Sequence, residues 1–157
     1  MSDSHDNIRN LENAVELANH RRCSHLIHLG DIVSPMTAQT LSVFNGEITA
    51  VFGNCDGDIL ELRRILNNLG GSINKPPYKI SLSGSSCILM HEPYLLEEVI
   101  MSGEPDFIFF GHTHEPYFRR EGKTVIINPG EIAGIMRKPT FYILDIPREN
   151  FEQIDLY

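Results

Sequence analysis

The sequence predicts an α/β fold, and three observations carry the prediction. Short apolar runs alternate with amphipathic stretches in the first half, strand-like runs dominate the second, and polar motifs recur where the strands end. Strand–helix alternation followed by strands gives two facing sheets, or one mixed sheet, with helices outside. In such folds ligands gather beyond the carboxyl ends of the strands.

The elements follow in order. Between Ile8 and Arg22, apolar Ile8, Leu11, Val15 and Ala18 recur at helical spacing. His25 to Val33 is strand-like and contains Gly30-Asp31. Met36 to Phe44 predicts a short helix opening after Ser34-Pro35. Ile48 to Phe52 is a second strand, running into Gly53-Asn54-Cys55-Asp56, and Ile59 to Leu69 is a helix closed by Gly70-Gly71. Tyr78 to Leu82 and Ser86 to Met90 flank Ser83-Gly84-Ser85 as a hairpin. A helix is expected over Tyr94 to Met101. Asp106 to Phe110 is an apolar strand ending in Gly111-His112-Thr113-His114. Lys123 to Ile127 and Phe141 to Ile146 complete the strands, with Asn128-Pro129-Gly130 read as a turn between them.

A length of 157 residues suits a single domain spanning the chain, with 41% hydrophobic and 22% charged residues as in ordinary globular proteins. No apolar run reaches the roughly 18 residues of a membrane span, and no leader is expected. Cys23, Cys55 and Cys87 are odd in number and far apart, which fits a reducing cytoplasm better than a disulfide framework. A formal charge of -8 argues against a nucleic-acid-coating protein, because that binding needs clustered Lys and Arg. It does not exclude an anionic substrate, since bound divalent ions supply positive charge locally.

Five motifs carry the chemistry: Asp3-Ser4-His5, Gly30-Asp31, Gly53-Asn54-Cys55-Asp56, Met90-His91-Glu92 and Gly111-His112-Thr113-His114. Asp-x-His or Gly-Asp alone is an ordinary turn or cap and His-x-His is a better signal; their combination at successive strand ends is specific. The donors are all nitrogen or oxygen, which suits Mn²⁺, Fe²⁺, Ni²⁺ or Zn²⁺ rather than a soft thiolate site. Asp3, Asp31, Asn54, His5, His91, His112 and His114 are too many for one tetrahedral ion and suit two ions sharing a carboxylate. In an extended Asp-x-His or His-x-His both side chains share a face, whereas a turn aims them at two different ions.

The ordered set resembles the calcineurin-like metallophosphoesterases, and Gly-Asn-Cys-Asp with Asn128-Pro129-Gly130 is similar to their small bacterial and archaeal phosphodiesterase branch. The resemblance implies a four-layer α/β/β/α sandwich of two mixed sheets, with a dimetal site at the strand carboxyl ends. It implies two divalent ions, Mn²⁺ foremost and Ni²⁺, Fe²⁺ or Zn²⁺ as alternatives. Asp3, His5 and His114 would hold the first ion, Asn54, His91 and His112 the second, and Asp31 would bridge; Asp31, Asn54 and His91 are also assigned to catalysis. A water activated between the ions would attack a small phosphodiester. Relatives of this branch are often dimers or tetramers, so the resemblance leaves a homo-oligomer open without fixing the oligomeric state.

Two departures matter. Relatives carry an apolar strand before Asp-x-His, yet only Met1-Ser2 precede Asp3, so the first strand is expected to be truncated or missing, with Asp3 and His5 loosely held if it is missing. Larger phosphatases of the superfamily place His where this chain has Cys55. A thiol is a poor proton donor, so Cys55 is read as a packing residue and preference for diesters with good leaving groups is expected. Asp56 is read as either orienting a ligand or capping a turn, and Glu92 stands where relatives often have Gly. His28 is read as a satisfied core histidine, Phe107, Phe109 and Phe110 as core, and Arg119-Arg120 and Arg137-Lys138 as solvated turns. The rivals are an interaction scaffold of the same fold, like the retromer scaffold subunit, and a phosphomonoesterase or nuclease with the same centre. Complete ligand types weigh against the first, and the acidic balance against a nuclease.

Overall fold

The computed structural model describes residues 1–156. Its layers follow from the period-two alternation of the strands. Strands β1 (His25–His28), β2 (Glu47–Val51) and β3 (Ser72–Asn74) form a parallel sheet. Strands β4 (Tyr78–Leu82), β5 (Ser85–Leu89), β6 (Phe107–Phe109), β7 (Pro116–Glu121) and β8 (Thr124–Pro129) form a second, mixed sheet in the order β4-β5-β6-β8-β7. Strands β9 (Thr140–Asp145) and β10 (Asn150–Asp155) pair as an antiparallel ribbon.

Alternate residues of these strands enter different cores. Leu26, Ile48, Ala50 and Phe141 join helix residues in an outer core, while Leu29, Val51, Leu89, Phe107, Phe109 and Ile127 pack between the sheets. Ile108, Phe110 and Ile126 turn the other way, onto Leu96, Val99 and Ile100. Three cores separate four layers, which is the α/β/β/α sandwich. Successive strand side chains face opposite sides, so a strand buried on both faces must feed two cores.

Helix α1 (Ile8–His20) opens on Asn7, whose side chain accepts the Asn10 N–H, and buries Leu11, Ala14, Val15 and Ala18. That spacing makes one apolar stripe. The helix expected over Met36–Phe44 is α2 (Pro35–Gln39), capped by Ser34, followed by a 3₁₀ turn at Thr40–Val43. Helix α3 (Ile59–Asn68) starts on Asp58 and buries Leu62, Ile65 and Leu66. Helix α4 (Leu96–Ser102) stops at Gly103 in the left-handed conformation, φ +62°. The β4–β5 hairpin turns through Ser83 and Gly84, both at positive φ, the twist that matches flanking strands. None of the described helices is long and apolar enough to cross a membrane.

Two expectations need correction. The Asn128-Pro129 segment is strand, the end of β8, rather than turn. Asp3 and His5 are not loosely held: the Met1 amino group donates to the Ile27 carbonyl, Leu29 N–H to Met1 O, and Asp3 N–H to Gly30 O. On the other side Ile132 N–H donates to Ser2 O and Ala133 N–H to Asp3 O. A groove of about 740 Å³ is lined by Met1, by Ile27 and Leu29 at β1, and by Tyr142 and Leu144 of β9, among others.

Candidate metal centre

Four of the five motifs converge because of strand direction, and Asp3-Ser4-His5 is held beside them by the hydrogen bonds of Asp3 N–H to Gly30 O and His5 N–H to Asp31 O. Strands β1 and β2 run parallel, as do β5, β6 and β8, so within each sheet their carboxyl ends emerge on one side. Asp31 follows β1, Asn54 follows β2, His91 follows β5, and His112 and His114 follow β6. His91 spans the two sheets through Nδ1, which lies 2.8 Å from the Leu29 carbonyl beyond β1. Gly30 makes that approach feasible. It has φ +102°, and a Cβ there would lie 2.7 Å from both Gly53 N and His91 Nδ1.

All seven predicted donors are brought together in two groups. In the first, His5 Nε2 and His114 Nε2 lie 3.3 Å apart, and Asp3 Oδ1 is 3.9 and 3.5 Å from them. In the second, Asn54 Oδ1 is 2.9 Å from both His91 Nε2 and His112 Nδ1. Asp31 Oδ2 stands between the groups, 3.4 Å from His5 Nε2 and 3.5 Å from His91 Nε2. His112 and His114 therefore serve different groups, as a turn permits and an extended segment does not. Asp3, Asp31 and His91 are buried, whereas Asn54 and His112 are exposed, so the second group faces solvent.

The donor chemistry fits cations. An Nδ1–H on His91 donates to the Leu29 carbonyl, and one on His114 donates to Glu131 Oε2 at 2.8 Å. Both rings then present bare Nε2 lone pairs to the oxygens of Asp31, Asn54 and Asp3. Asp3 Oδ1 is fully buried and has no hydrogen-bond partner. Lone pairs turned on one another around a buried orphan carboxylate oxygen are what a positive ion resolves. The Asp3/His5/His114 and Asp3/Asp31/His91 sets each bring their donor atoms within 4.8 Å of one another.

Burial raises the Asp3 pKa, opposed by the Ser2 hydroxyl and the neighbouring imidazoles. Burial also works to raise that of Asp31, but hydrogen bonds with His91 and the Cys55 N–H prevail and hold it well below the usual carboxylate range. Burial works to lower the His91 pKa, and Asp31 reverses this and raises it. Asp3, His5, Asp31, His112 and His114 all have positive φ, from 38° to 66°. Asp and His tolerate that region better than most residues, yet each costs about 1–2 kcal/mol. The strain persists because the surrounding hydrogen bonds hold the loops.

Three bracing residues complete the centre. Asp56, expected either to orient a ligand or to cap a turn, accepts from Gly53 N at 2.7 Å, Val33 N at 2.8 Å and Asp31 N at 3.2 Å, locking the Asp31 and Asn54 loops together. Asn128 is buried and donates to Gly111 O and Thr113 Oγ1, both at 2.9 Å, bracing the His112–His114 loop. Glu131, which sequence reasoning missed, is buried against His114; its signal was an acidic residue directly after Asn-Pro-Gly. Cys55 corrects an expectation: it is exposed rather than packed, with its N–H donating to Asp31 Oδ1 at 2.8 Å. His28 is fully buried, its Nε2 3.1 Å from Ser4 Oγ, and its Nδ1 lacks a partner. Phe107, Phe109 and Phe110 are core, as expected.

This sandwich, with seven ligand-type residues gathered at its strand ends, is that of the calcineurin-like phosphoesterase superfamily, and the chain belongs to it, matching the family over residues 1–149. The family uses divalent metals, and this chain has candidate groups to hold them. Phosphodiesterase MJ0936 of Methanocaldococcus jannaschii is 32% identical over 99% of this chain and 96% of its own length. Phosphodiesterase YfcE of Escherichia coli K12 is 24% identical over 84% of this chain and 77% of its own length. A solved structure described as a novel archaeal phosphodiesterase superposes with a TM-score of 0.95 at 32% identity, covering 99% of this chain and 97% of that one.

Proposed function

We propose that this chain is a single-domain enzyme that hydrolyses small phosphodiesters at a two-ion centre. Asp3, His5 and His114 hold the first ion, Asn54, His91 and His112 the second, and Asp31 bridges. The observation that carries this is the position of Asp31 Oδ2, within 3.5 Å of an imidazole nitrogen from each group. A bound pair of divalent ions supplies charge neutralisation and an acidified water at neutral pH. Mn²⁺ is the leading choice, with Ni²⁺, Fe²⁺ or Zn²⁺ as substitutes for this N/O donor set. The relatives named phosphodiesterase support the reaction class.

The chain's own residues set the selectivity. Asp31, Asn54 and His91 fix the reacting region, and exposed Asn54 and His112 leave it open to a small ester. The Cys55 thiol is exposed beside Asp31, and its pKa is raised by desolvation and by that carboxylate. It is therefore a weak acid for a departing alkoxide, which favours diesters with good leaving groups over unactivated monoesters. Surface cations are engaged with acids, Arg119 with Glu121, Arg120 with Glu149 and Arg137 with Glu115. With a net charge of -8 they form no basic stripe for nucleic acid. The three free cysteines support a reducing cytoplasm as the setting, and exposed Met36, Leu60, Met101, Ile135 and Met136 offer apolar surface for a dimer or tetramer.

The test strips the protein with chelator and assays an aryl phosphodiester against the matching aryl monoester, with and without Mn²⁺ or Ni²⁺. Metal-restored hydrolysis, faster on the diester, is the expected result. A folded protein inactive on both esters with every metal refutes the enzyme reading in favour of a scaffold.

A further inference from the structure

We propose that Glu131 is a positioning residue that makes the first ion's site the tighter of the two, an inference that rests on the two-ion reading above. Its side chain is completely buried. Oε2 lies 2.8 Å from His114 Nδ1, while Oε1 accepts the N–H groups of Met136, at 2.6 Å, and Arg137. One carboxylate thus sets the His114 tautomer, leaving Nε2 bare toward Asp3, and fastens that ring to the 136–137 backbone. An anionic partner on the far nitrogen also makes a ligating imidazole more basic.

The segment carrying Glu131 is itself anchored. Thr140 N–H donates to Glu131 O on the β9 side, Asn7 Nδ2 donates to Ala133 O and Asn10 Nδ2 to Ile132 O on the α1 side. Ala133 N–H donates to Asp3 O at 3.0 Å. Residues 131–133 therefore brace two of the first group's donors at once, the His114 ring by side chain and Asp3 by backbone. The second group has no equivalent charge: His91 donates to the neutral Leu29 carbonyl, and its third donor is the neutral Asn54 amide. The two halves share Asp31, and Asp3 lies 3.5 Å from His114 Nε2 while Glu131 backs the first group alone, so electrostatics favours the ion beside His114.

The experiment measures stepwise Mn²⁺ binding to chelator-stripped protein by calorimetry, for wild type, Glu131→Ala, Glu131→Gln and Asn10→Ala. Zinc-loaded, ¹⁵N-histidine-labelled protein reports the His114 tautomer by NMR. Wild type is expected to bind two ions with separated affinities. Glu131→Ala should weaken the tighter one about 10–100-fold, move the looser one less than about two-fold, and remove the fixed Nδ1–H signature of His114. Glu131→Gln retains one acceptor but cannot serve His114 and both backbone N–H groups, and should fall between. Asn10→Ala loosens the same segment but keeps the Glu131 carboxylate on His114, and should weaken the tighter ion less than Glu131→Ala does while retaining the Nδ1–H signature of His114. If Glu131→Ala does not fold, Glu131→Gln carries the decision by the same signs. Unchanged tight binding, or equal weakening of both ions, overturns the proposal while leaving the two-ion reading intact. A wild type that binds no ion overturns both.

Discussion

Replacing Asp31 by Asn keeps the shape of the side chain and removes its charge. The Oδ1 position still accepts the Cys55 N–H, so the loop stays pinned. What disappears is the negative oxygen lying 3.4 Å from His5 Nε2 and 3.5 Å from His91 Nε2. Unit charges at ~4 Å interact by about 4 kcal/mol at an effective dielectric of about 20. Desolvation offsets most of that attraction, so neutralising the carboxylate is expected to cost each ion roughly 2 kcal/mol, about a 30-fold weaker affinity. Each ion present at about 100 times its dissociation constant stabilises the wild type by about 2.7 kcal/mol, so two contribute about 5.4 kcal/mol, roughly 11–22 °C for a domain of this size. At the same concentration a variant 30-fold weaker at both sites keeps only about 0.9 kcal/mol per ion, about 1.7 kcal/mol in all, or ~3–7 °C. Thermal melts of stripped protein with and without Mn²⁺ measure this directly, and diester hydrolysis should fall with it. An Asp31→Asn variant that binds two ions and shows the wild-type thermal shift within about 1 °C would refute the bridging assignment.

Two further outcomes are expected. Burial pushes His28 from its ordinary pKa of 6.5 down to about 3, so between those values the unfolded chain binds a proton that the folded chain does not. Stability must then rise with pH across this window and fall as the solution is acidified below about 6.5. His28→Leu should remove about 2 kcal/mol of the loss between pH 6.5 and 5 in metal-free protein, read from urea midpoints; an identical loss in variant and wild type would contradict it. Asp56→Ala strands three backbone N–H groups and should cost on the order of 3 kcal/mol in the presence of chelator, seen as a lower Tm. A change below about 1 kcal/mol would show that Asp56 does not lock the loops.

The linear chain carried the ligand types, their order and their placement after strands, because each is a local matter of residue identity and hydrophobic period. The apolar runs of β2, β6 and β8 and the stripes of α1 and α3 were legible for the same reason. Strands β3, β7 and β10 were not: β3 has three residues, and β7 and β10 are sheet edges whose Arg119-Arg120 and Glu152-Gln153 resemble a solvated loop. Asn128-Pro129 read as a turn because Asn and Pro favour turns, yet pairing with Tyr117 and Pro116 keeps the segment extended.

The division of the seven donors into two groups came from the family resemblance and not from residue spacing, since His112 and His114 differ only in where a left-handed turn aims them. The roles of Asp56 and Glu131 were hidden for a related reason. A buried carboxylate declares its purpose only through partners brought in from distant segments, His114 lying 17 residues from Glu131 and Asp31 lying 25 from Asp56. Cys55 shows the reverse: its composition suggested packing, and the loop that holds Asn54 left it in solvent. Residue chemistry specifies what a centre can bind, while strand direction and backbone hydrogen bonds between loops decide which donors meet.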